Sequence, residues 1–143
     1  MQGDGMNYVP EGKPQPVVKP GEFVIAAVAL DHGHINGMCR ALTDAGATLK
    51  WVYDPDPEKV AKFCKMFPGV QAAESEEQVM ADPEVKMICG AAVPSKRCAL
   101  GLRAMAAGKD YFTDKTPLTS LEQLNAAKAA VKETGRKYMC YFS

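Results

Sequence analysis

The sequence lacks three features that mark proteins working on membranes, on nucleic acids or outside the cell. Its longest uninterrupted apolar run, residues 23–30, is far shorter than the ~20 residues of a membrane-spanning helix. Seventeen basic residues are balanced by seventeen acidic ones, so no excess positive charge attracts nucleic acid or anionic lipid. The first residues carry neither the basic start nor the apolar centre of a signal peptide. We therefore expect no nucleic acid and no membrane among its partners.

Paired cysteines are absent as well. The five cysteines are odd in number and form no C-x-x-C motif. Most of them stand at apolar positions of predicted elements, where a thiol acts as a small hydrophobic group. Because scattered free thiols are typical of a reducing compartment, we expect a cytoplasmic location.

What the sequence does contain is a regular alternation of two apolar patterns. A chain of 143 residues, 47% of them apolar, is long enough for one domain. Residues 1–21 hold four of the ten prolines and four of the twelve glycines, and they are predicted to form an irregular N-terminal extension. After this extension, apolar runs alternate with apolar residues at helical spacing. The predicted strands are residues 23–30, 49–53, 70–72, 85–93, 110–113 and 138–142.

Strands and helices that alternate through short connections favour one architecture, because crossovers between parallel strands are right-handed. We predict a doubly wound parallel α/β sheet, the Rossmann fold, with about six strands and helices on both faces, over residues 22–143. Such sheets bind ligands outside the carboxyl end of the first strand, where the strand order reverses. The segment DHGHING, residues 31–37, occupies that position.

Three helix starts carry capping signals. Asp56 precedes a proline and is a candidate N-cap. Ser75 with Gln78 predicts a capping box, and Thr119 with Glu122 predicts another.

The loop after the first strand is compared with the G-x-G-x-x-G fingerprint, whose glycines allow a tight turn, close approach of a pyrophosphate and helix packing. The three slots read Asp31, Gly33 and Asn36, so a glycine remains in the slot that most directly touches the ligand. The following helix N-terminus attracts anions, and a protonated His34 would add positive charge. We expect Gly33, His34 and Ile35 to contact a dinucleotide.

Two other interpretations of this loop stay open. The replacement of glycine by Asp31 could have removed dinucleotide binding, which would leave a non-catalytic Rossmann module. Alternatively, Asp31, His32 and His34, with Cys39 as a further candidate, could bind a metal ion, because an H-x-H pair can chelate zinc. The chain has no other histidines, so the dinucleotide is the first expectation and no residue is assigned to a metal.

Asp54 follows the second predicted strand. An acid at this point, about 20 residues after the glycine loop, hydrogen-bonds the adenosine ribose of NAD and repels the additional phosphate of NADP. The alternative is that Asp54 and Pro55 only begin a turn. NAD is the expected cofactor, although nearby Lys59 could receive the phosphate of NADP.

Two long segments carry a family resemblance. They are VYDPDPEKVAKFCKMFPGVQAAESEEQVMADPEVKMI and MAAGKDYFTDKTPLTSLEQLNAAKAAVKETGRKYM. The chain resembles the N-terminal nucleotide-binding domain of the glucose–fructose oxidoreductase / inositol dehydrogenase / MocA family, over about residues 22–143. The family's E-K-P motif corresponds here to D-K-T followed by proline.

The resemblance implies roles for several residues. Lys115 matches the lysine that stands beside the nicotinamide ribose and the reacting hydroxyl, and is the candidate catalytic residue, while Asp114 is a shortened glutamate. Thr116 replaces the family's proline at a cis peptide bond. Pro94 matches a cofactor-contacting proline after the fourth strand. Arg97 stands where the family has histidine, and either binds an acidic substrate or caps a helix.

The resemblance also implies an activity. Members transfer hydride between a nicotinamide cofactor and a hydroxyl carbon, which predicts a small sugar or polyol-like substrate. They have a second α/β domain that supplies most of the substrate pocket, so we expect this chain to be a fragment that does not turn over substrate alone. An uncovered outer strand or helix face would allow a homo-oligomer.

Overall fold

The computed structural model describes residue 12 and residues 15–142. Strands and helices alternate along this part of the chain, and none of its helices is both long enough and apolar enough to cross a membrane. The strands are β1 (Val24–Val28), β2 (Thr48–Tyr53), β3 (Gln71–Ala72), β4 (Val85–Gly90), β5 (Asp110–Asp114) and β6 (Tyr138–Tyr141). The helices are α1 (His34–Asp44), α2 (Pro57–Met66), α3 (Glu76–Ala81), α4 (Pro94–Ala106) and α5 (Leu121–Thr134).

The strands form one parallel sheet in the order β3-β2-β1-β4-β5-β6. The predicted doubly wound sheet of about six strands is therefore confirmed. After β3 the chain crosses to the other side of β1 to form β4, so the strand order reverses between β1 and β4. The loops that follow these two strands diverge, which leaves a crevice at the carboxyl edge of the sheet.

Helices cover both faces of the sheet. Successive side chains of a strand point to opposite faces, and β1 follows this rule. Ile25 packs on the same face as Met38 of α1 and Phe63 of α2. Ala26 packs on the other face with Leu100 of α4. Because both of its faces are covered, every residue of β1 is buried, as a continuous apolar run predicts.

Part of the predicted N-terminal extension lies against the domain. Residues 15–21 contain bends and a turn but no helix or strand. The amide of Val17 donates a hydrogen bond of 2.8 Å to the carbonyl oxygen of Ala45, just after α1. Most of the remaining extension lies outside the described residues, so the division at residue 21 stays a prediction.

Two predicted caps are confirmed. The Asp56 side chain accepts a hydrogen bond of 2.9 Å from the amide of Glu58, and α2 begins with a proline. The Ser75 hydroxyl accepts one of 3.1 Å from the amide of Gln78 at the start of α3. Each bond satisfies an amide that the first turn of a helix leaves without a backbone partner.

The predicted cap of α5 is wrong by one residue. Ser120, not Thr119, is the N-cap, and its hydroxyl accepts a bond of 3.1 Å from the amide of Gln123. The side chain of Gln123 in turn accepts a bond of 2.8 Å from the amide of Thr119, so Glu122 plays no part in the box. Two overlapping S/T-x-x-E/Q frames exist in the sequence, and the extended backbone of Ser120 selects the second.

Candidate active site

The turn that follows β1 is made at Ala29. The strand predicted to run through Leu30 ends at Val28, because Ala29 has a φ of +64°, in the left-handed region that favours glycine. The turn is held from both sides. The amide of Ala29 donates to the carbonyl of Tyr53 at 3.1 Å, and its carbonyl accepts from the amide of Ala91 at 3.0 Å. Ala29 therefore has the tight-turn role that the first glycine performs in the fingerprint.

The turn lies two residues before Asp31, the first predicted slot of the fingerprint. Gly33, in the second predicted slot, is the N-cap of α1 with a φ of −61°, a conformation open to any residue. The slots Asp31, Gly33 and Asn36 stay a prediction. The sequence pattern alone could not reveal the position of the turn, because the apolar run continues past the point at which the strand ends.

Replacing Ala29 with glycine is expected to stabilise the domain by about 0.5 to 1 kcal/mol. A left-handed backbone costs a non-glycine residue roughly 1–2 kcal/mol, and the greater freedom of glycine in the unfolded chain offsets part of that gain. The melting temperature should rise by about 2 °C in differential scanning calorimetry. Ala45→Gly is the matched control. Ala45 has a φ of −76°, so glycine removes no backbone strain there, and the substitution should lower the melting temperature. A decrease with both variants would contradict the assignment.

The start of α1 offers open space at Gly33. A Cβ placed on Gly33 would meet no atom within 4 Å. The amides of the first turn already have local partners: His34 donates to Nδ1 of His32 and Ile35 to the carbonyl of His32, both at 3.2 Å. The side chain of Ile35 is buried in the core. The predicted contacts of Gly33, His34 and Ile35 with a dinucleotide stay a prediction.

Asp31 forms an ion pair with Lys59. One carboxylate oxygen lies 2.7 Å from Nζ of Lys59, and the other accepts a longer bond of 3.3 Å from the amide of Val93. The hydrogen bond from Lys59 lowers the pKa of the Asp31 carboxyl, although partial burial acts in the opposite direction. The same bond raises the pKa of Lys59. The charge that would repel a pyrophosphate therefore has a counter-charge beside it.

Asp54 ties the ends of β1 and β2 together. Its two carboxylate oxygens accept hydrogen bonds from the amides of Leu30 at 2.7 Å and Asp56 at 2.9 Å, and the residue is buried. The bond from the amide of Asp56 belongs to a turn that begins at Asp54, which is the alternative role given above for Asp54 and Pro55. Asp56 is exposed on the same edge, and sequence reasoning considered it only as a cap.

A cleft of about 280 Å³ lies at the carboxyl edge of the sheet, between the ends of β1, β2 and β4. Both basic and acidic side chains line this cleft. Sequence reasoning missed three of the charged side chains, Lys96, Arg103 and Glu76, since they are distant in sequence from the loop. The lining residues are Ala29, Asp31, Asp54, Pro55, Asp56, Lys59, Glu76, Ala92, Lys96, Leu100 and Arg103.

The end of β5 brings Asp114 and Lys115 to the same edge. Asp114 is buried, and its Oδ1 accepts a bond of 2.8 Å from the amide of Lys115. Oδ1 also lies 2.9 Å from Nδ1 of His34, across the sheet from the loop after β1. Lys115 is exposed immediately after the strand, and the peptide between Lys115 and Thr116 is cis. The predicted cofactor residues His34, Asp114 and Lys115 are thus neighbours.

Arg97 does not cap α4, and its contact with an acidic substrate stays a prediction. It is buried in the first turns of α4, and its guanidinium holds the loop that carries Lys115. Nε donates to the carbonyl of Ala92 at 2.6 Å, and Nη1 donates to that of Thr116 at 3.0 Å. Nη2 lies 3.4 Å from Oδ2 of Asp114. Pro94, the first residue of α4, is exposed near the cleft.

The alternative metal set of the loop is not brought together with Asp31 as its carboxylate. Asp31 forms an ion pair with Lys59, and among residues 12 and 15–142 the carboxylate that approaches both histidines is that of Asp114. His32, His34 and Asp114 are brought together by the pairing of β1 and β5 with β4, which no sequence spacing predicts.

A larger groove of about 480 Å³ lies away from this edge, between α5 and β6. Its wall is mostly apolar, with Leu124, Val131 and Tyr138 among the lining residues. Lys128 and Lys132 also line it, but no acidic side chain does, so it is not the candidate cofactor site.

The comparisons with known proteins agree with this fold. Residues 29–142 match the Gfo/Idh/MocA oxidoreductase family, which is described by its NAD-binding Rossmann fold. Because the match covers most of the chain, the protein belongs to this family, and the resemblance drawn from the sequence is confirmed. The chain is an NAD(P)-binding Rossmann domain of an oxidoreductase family.

Solved structures are similar over the same region. One from Erwinia carotovora atroseptica, whose name gives the class oxidoreductase without a substrate, is 47% identical with a TM-score of 0.82. GenD2 from gentamicin A biosynthesis, in complex with NAD, is 20% identical with a TM-score of 0.77. Biliverdin reductase from Synechocystis, in complex with biliverdin and NADP⁺, is 18% identical with a TM-score of 0.69. The last two show the fold alone.

The chain is shorter than these relatives. The three matches cover 85%, 93% and 82% of this chain, but 37% of each of the other chains. No curated protein matches the chain.

Proposed function

We propose that this domain binds NAD at the carboxyl edge of the sheet, and that the protein to which it belongs oxidises or reduces a hydroxyl carbon of a sugar or polyol-like substrate. The observation that carries the proposal is the convergence of the open Gly33 turn, the charged cleft and Lys115 on one edge. Family membership supports the reaction class, and the proposed kind of substrate rests on what the family resemblance implies.

The residues present fit a dinucleotide. The side-chain oxygen of Asn36 is buried without a hydrogen-bond partner among the described residues, in the small cavity that Gly33 also lines, so an acceptor is available there. Lys59 and Lys96 line the neighbouring cleft and suit the negative charge of a pyrophosphate. Gly33 and His34 would lie beside the phosphates, and Pro94 at the start of α4 is a further proposed contact.

The acids of the cleft favour NAD over NADP. Asp54 and Asp56 stand together at the end of β2, where the adenosine ribose binds in this fold. A phosphate on that ribose would meet two carboxylates. Two of the three cations that line the cleft already have partners: Lys59 pairs with Asp31, and Arg103 binds Glu76 at 2.6 Å. We therefore propose NAD as the preferred cofactor.

Lys115 is the proposed catalytic residue. The bound cofactor supplies or accepts hydride, and the protein must hold or move the proton of the substrate hydroxyl. An exposed ammonium at the end of β5 can perform that proton transfer. Asp114 holds the backbone of Lys115 through its amide, and Arg97 holds the next residues, so the position of Lys115 is defined by buried groups.

Isothermal titration of the purified chain with NAD and with NADP tests this proposal. We expect heat from NAD binding and a weaker interaction with NADP. The absence of heat with either dinucleotide at millimolar concentration would contradict cofactor binding at this edge.

The Asp31→Gly variant distinguishes the proposed NAD-binding domain from the alternative, a Rossmann module that no longer binds a dinucleotide. We expect the substitution to change the NAD affinity by less than about tenfold, about 1.4 kcal/mol, because Lys59 already neutralises Asp31. Asp44→Asn, at the other end of α1, removes an equal charge far from the loop and is the control. If the wild-type protein did not bind NAD and the Asp31→Gly variant bound it well, the result would support the alternative of a Rossmann module that has lost dinucleotide binding.

A further inference from the structure

We propose that His32, His34 and Asp114 bind one divalent transition-metal ion, with zinc as the first candidate. One ligand atom from each of the three residues lies within 4.8 Å of the others. Two imidazoles and a carboxylate are a donor set that holds zinc with one coordination position left open. This site is distinct from the set that contains Asp31, since the Asp31 carboxylate binds Lys59.

The distances within the cluster suit a shared cation. Bonds of about 2.1 Å in a tetrahedral zinc site separate neighbouring ligand atoms by about 3.4 Å. Nδ1 of His32 lies 3.4 Å from Oδ2 of Asp114, and Nδ1 of His34 lies 2.9 Å from Oδ1. A small adjustment of the His34 ring, which would release its Nδ1 proton to solvent, brings the third ligand into place.

The contacts that now engage two of the ligand atoms are long. Nδ1 of His32 accepts a bond from the amide of His34 at 3.2 Å, so this nitrogen carries no proton. Oδ2 of Asp114 accepts one from Nη2 of Arg97 at 3.4 Å. Both distances exceed the usual length of such bonds, about 2.9 to 3.0 Å. A metal ion that takes the lone pair of Nδ1 therefore displaces only a weak hydrogen bond.

The fold holds the carboxylate and leaves an entrance for the ion. The Asp114 side chain is 2% exposed, and the amide of Lys115 orients it at the end of β5. The His32 side chain is 53% exposed, so an ion can enter from solvent and a water molecule can complete its coordination. The two rings are edge to face with centroids 4.2 Å apart, on the loop that β1 positions opposite β5.

Equilibrium dialysis or calorimetric titration of metal-free protein with zinc, without dinucleotide, tests the site. We expect one zinc ion per chain and no binding of magnesium at the same concentration, because imidazole ligands disfavour magnesium. Saturation with cobalt should give the visible absorption of a nitrogen- and oxygen-ligated ion. A chain that binds no zinc would overturn the proposal.

His32→Ala is the decisive variant, because its exposed side chain can be removed without opening the core. It should weaken zinc binding at least tenfold, about the least that loss of a ligand costs, and leave the circular dichroism spectrum unchanged. His34→Ala should give the same loss. Two controls should bind zinc as tightly as the wild type: Asp31→Asn, from the same loop, and Cys64→Ser, which removes a partly exposed thiol. Zinc affinity that survives His32→Ala, or falls equally in either control, would overturn the assignment.

Discussion

Replacing Arg97 with methionine is expected to lower the free energy of unfolding by about 3 to 5 kcal/mol, the cost of breaking a buried ion pair from one side. Methionine retains much of the apolar stem but none of the donors. Asp114 would lose its buried cationic neighbour, and the carbonyl oxygens of Ala92 and Thr116 would lose bonds of 2.6 and 3.0 Å. Water cannot replace these bonds freely, because Arg97 is only 2% exposed.

Arg103→Met is the matched control for this prediction. Arg103 lies on the same helix and forms two bonds with Glu76, at 2.6 and 3.1 Å, but its side chain is half-exposed. A solvent-exposed pair contributes at most about 1 kcal/mol. Urea denaturation of the two variants should therefore show a much larger loss for Arg97→Met. Similar losses would show that the buried guanidinium does not hold the loop after β5.

Replacing Gly101 with alanine is expected to destabilise the domain by about 2 kcal/mol, although alanine is the better helix former. A Cβ on Gly101 would lie 2.4 Å from Cδ1 of Tyr111 and 2.7 Å from Cε2 of Tyr138. Tyr111 cannot move away, because it is fully buried and its hydroxyl donates to the carbonyl of Arg97 at 2.8 Å. Overpacking of this kind costs about 3 kcal/mol, and the higher helix propensity of alanine offsets about 1 kcal/mol of that cost.

Gly33→Ala provides the comparison, because a Cβ there would meet no atom within 4 Å. Its free energy of unfolding should change by less than about 0.5 kcal/mol in the same denaturation experiment. An equal effect at both glycines would contradict the close packing of α4 on Tyr111.

The order of elements was predictable because local patterns are sufficient for it. The run at residues 23–30 is apolar throughout because β1 is buried on both faces, and the caps at Asp56 and Ser75 follow from side chains that reach the adjacent helix. Strands that alternate with helices then restrict the sheet to a parallel, doubly wound arrangement. Neither prediction needs a contact between distant residues.

Local patterns were not sufficient where two alternatives had equal support. The S/T-x-x-E/Q pattern fits both Thr119 and Ser120, and only the backbone conformation decides between them. The end of β1 was not predictable from the sequence either. Ala29 and Leu30 continue the apolar run, although the chain already turns at Ala29, whose φ is +64°.

The sequence by itself determined that this chain forms a parallel α/β sheet with a connecting loop between its first strand and first helix, because periodicity and capping act over a few residues. Only the tertiary structure decided which charges meet at that loop. Arg97 and Asp114 are 17 positions apart, and His34 and Asp114 are 80 apart. They become neighbours because β1 and β5 both lie beside β4, and a side chain pairs with the charge that folding brings within a few ångströms.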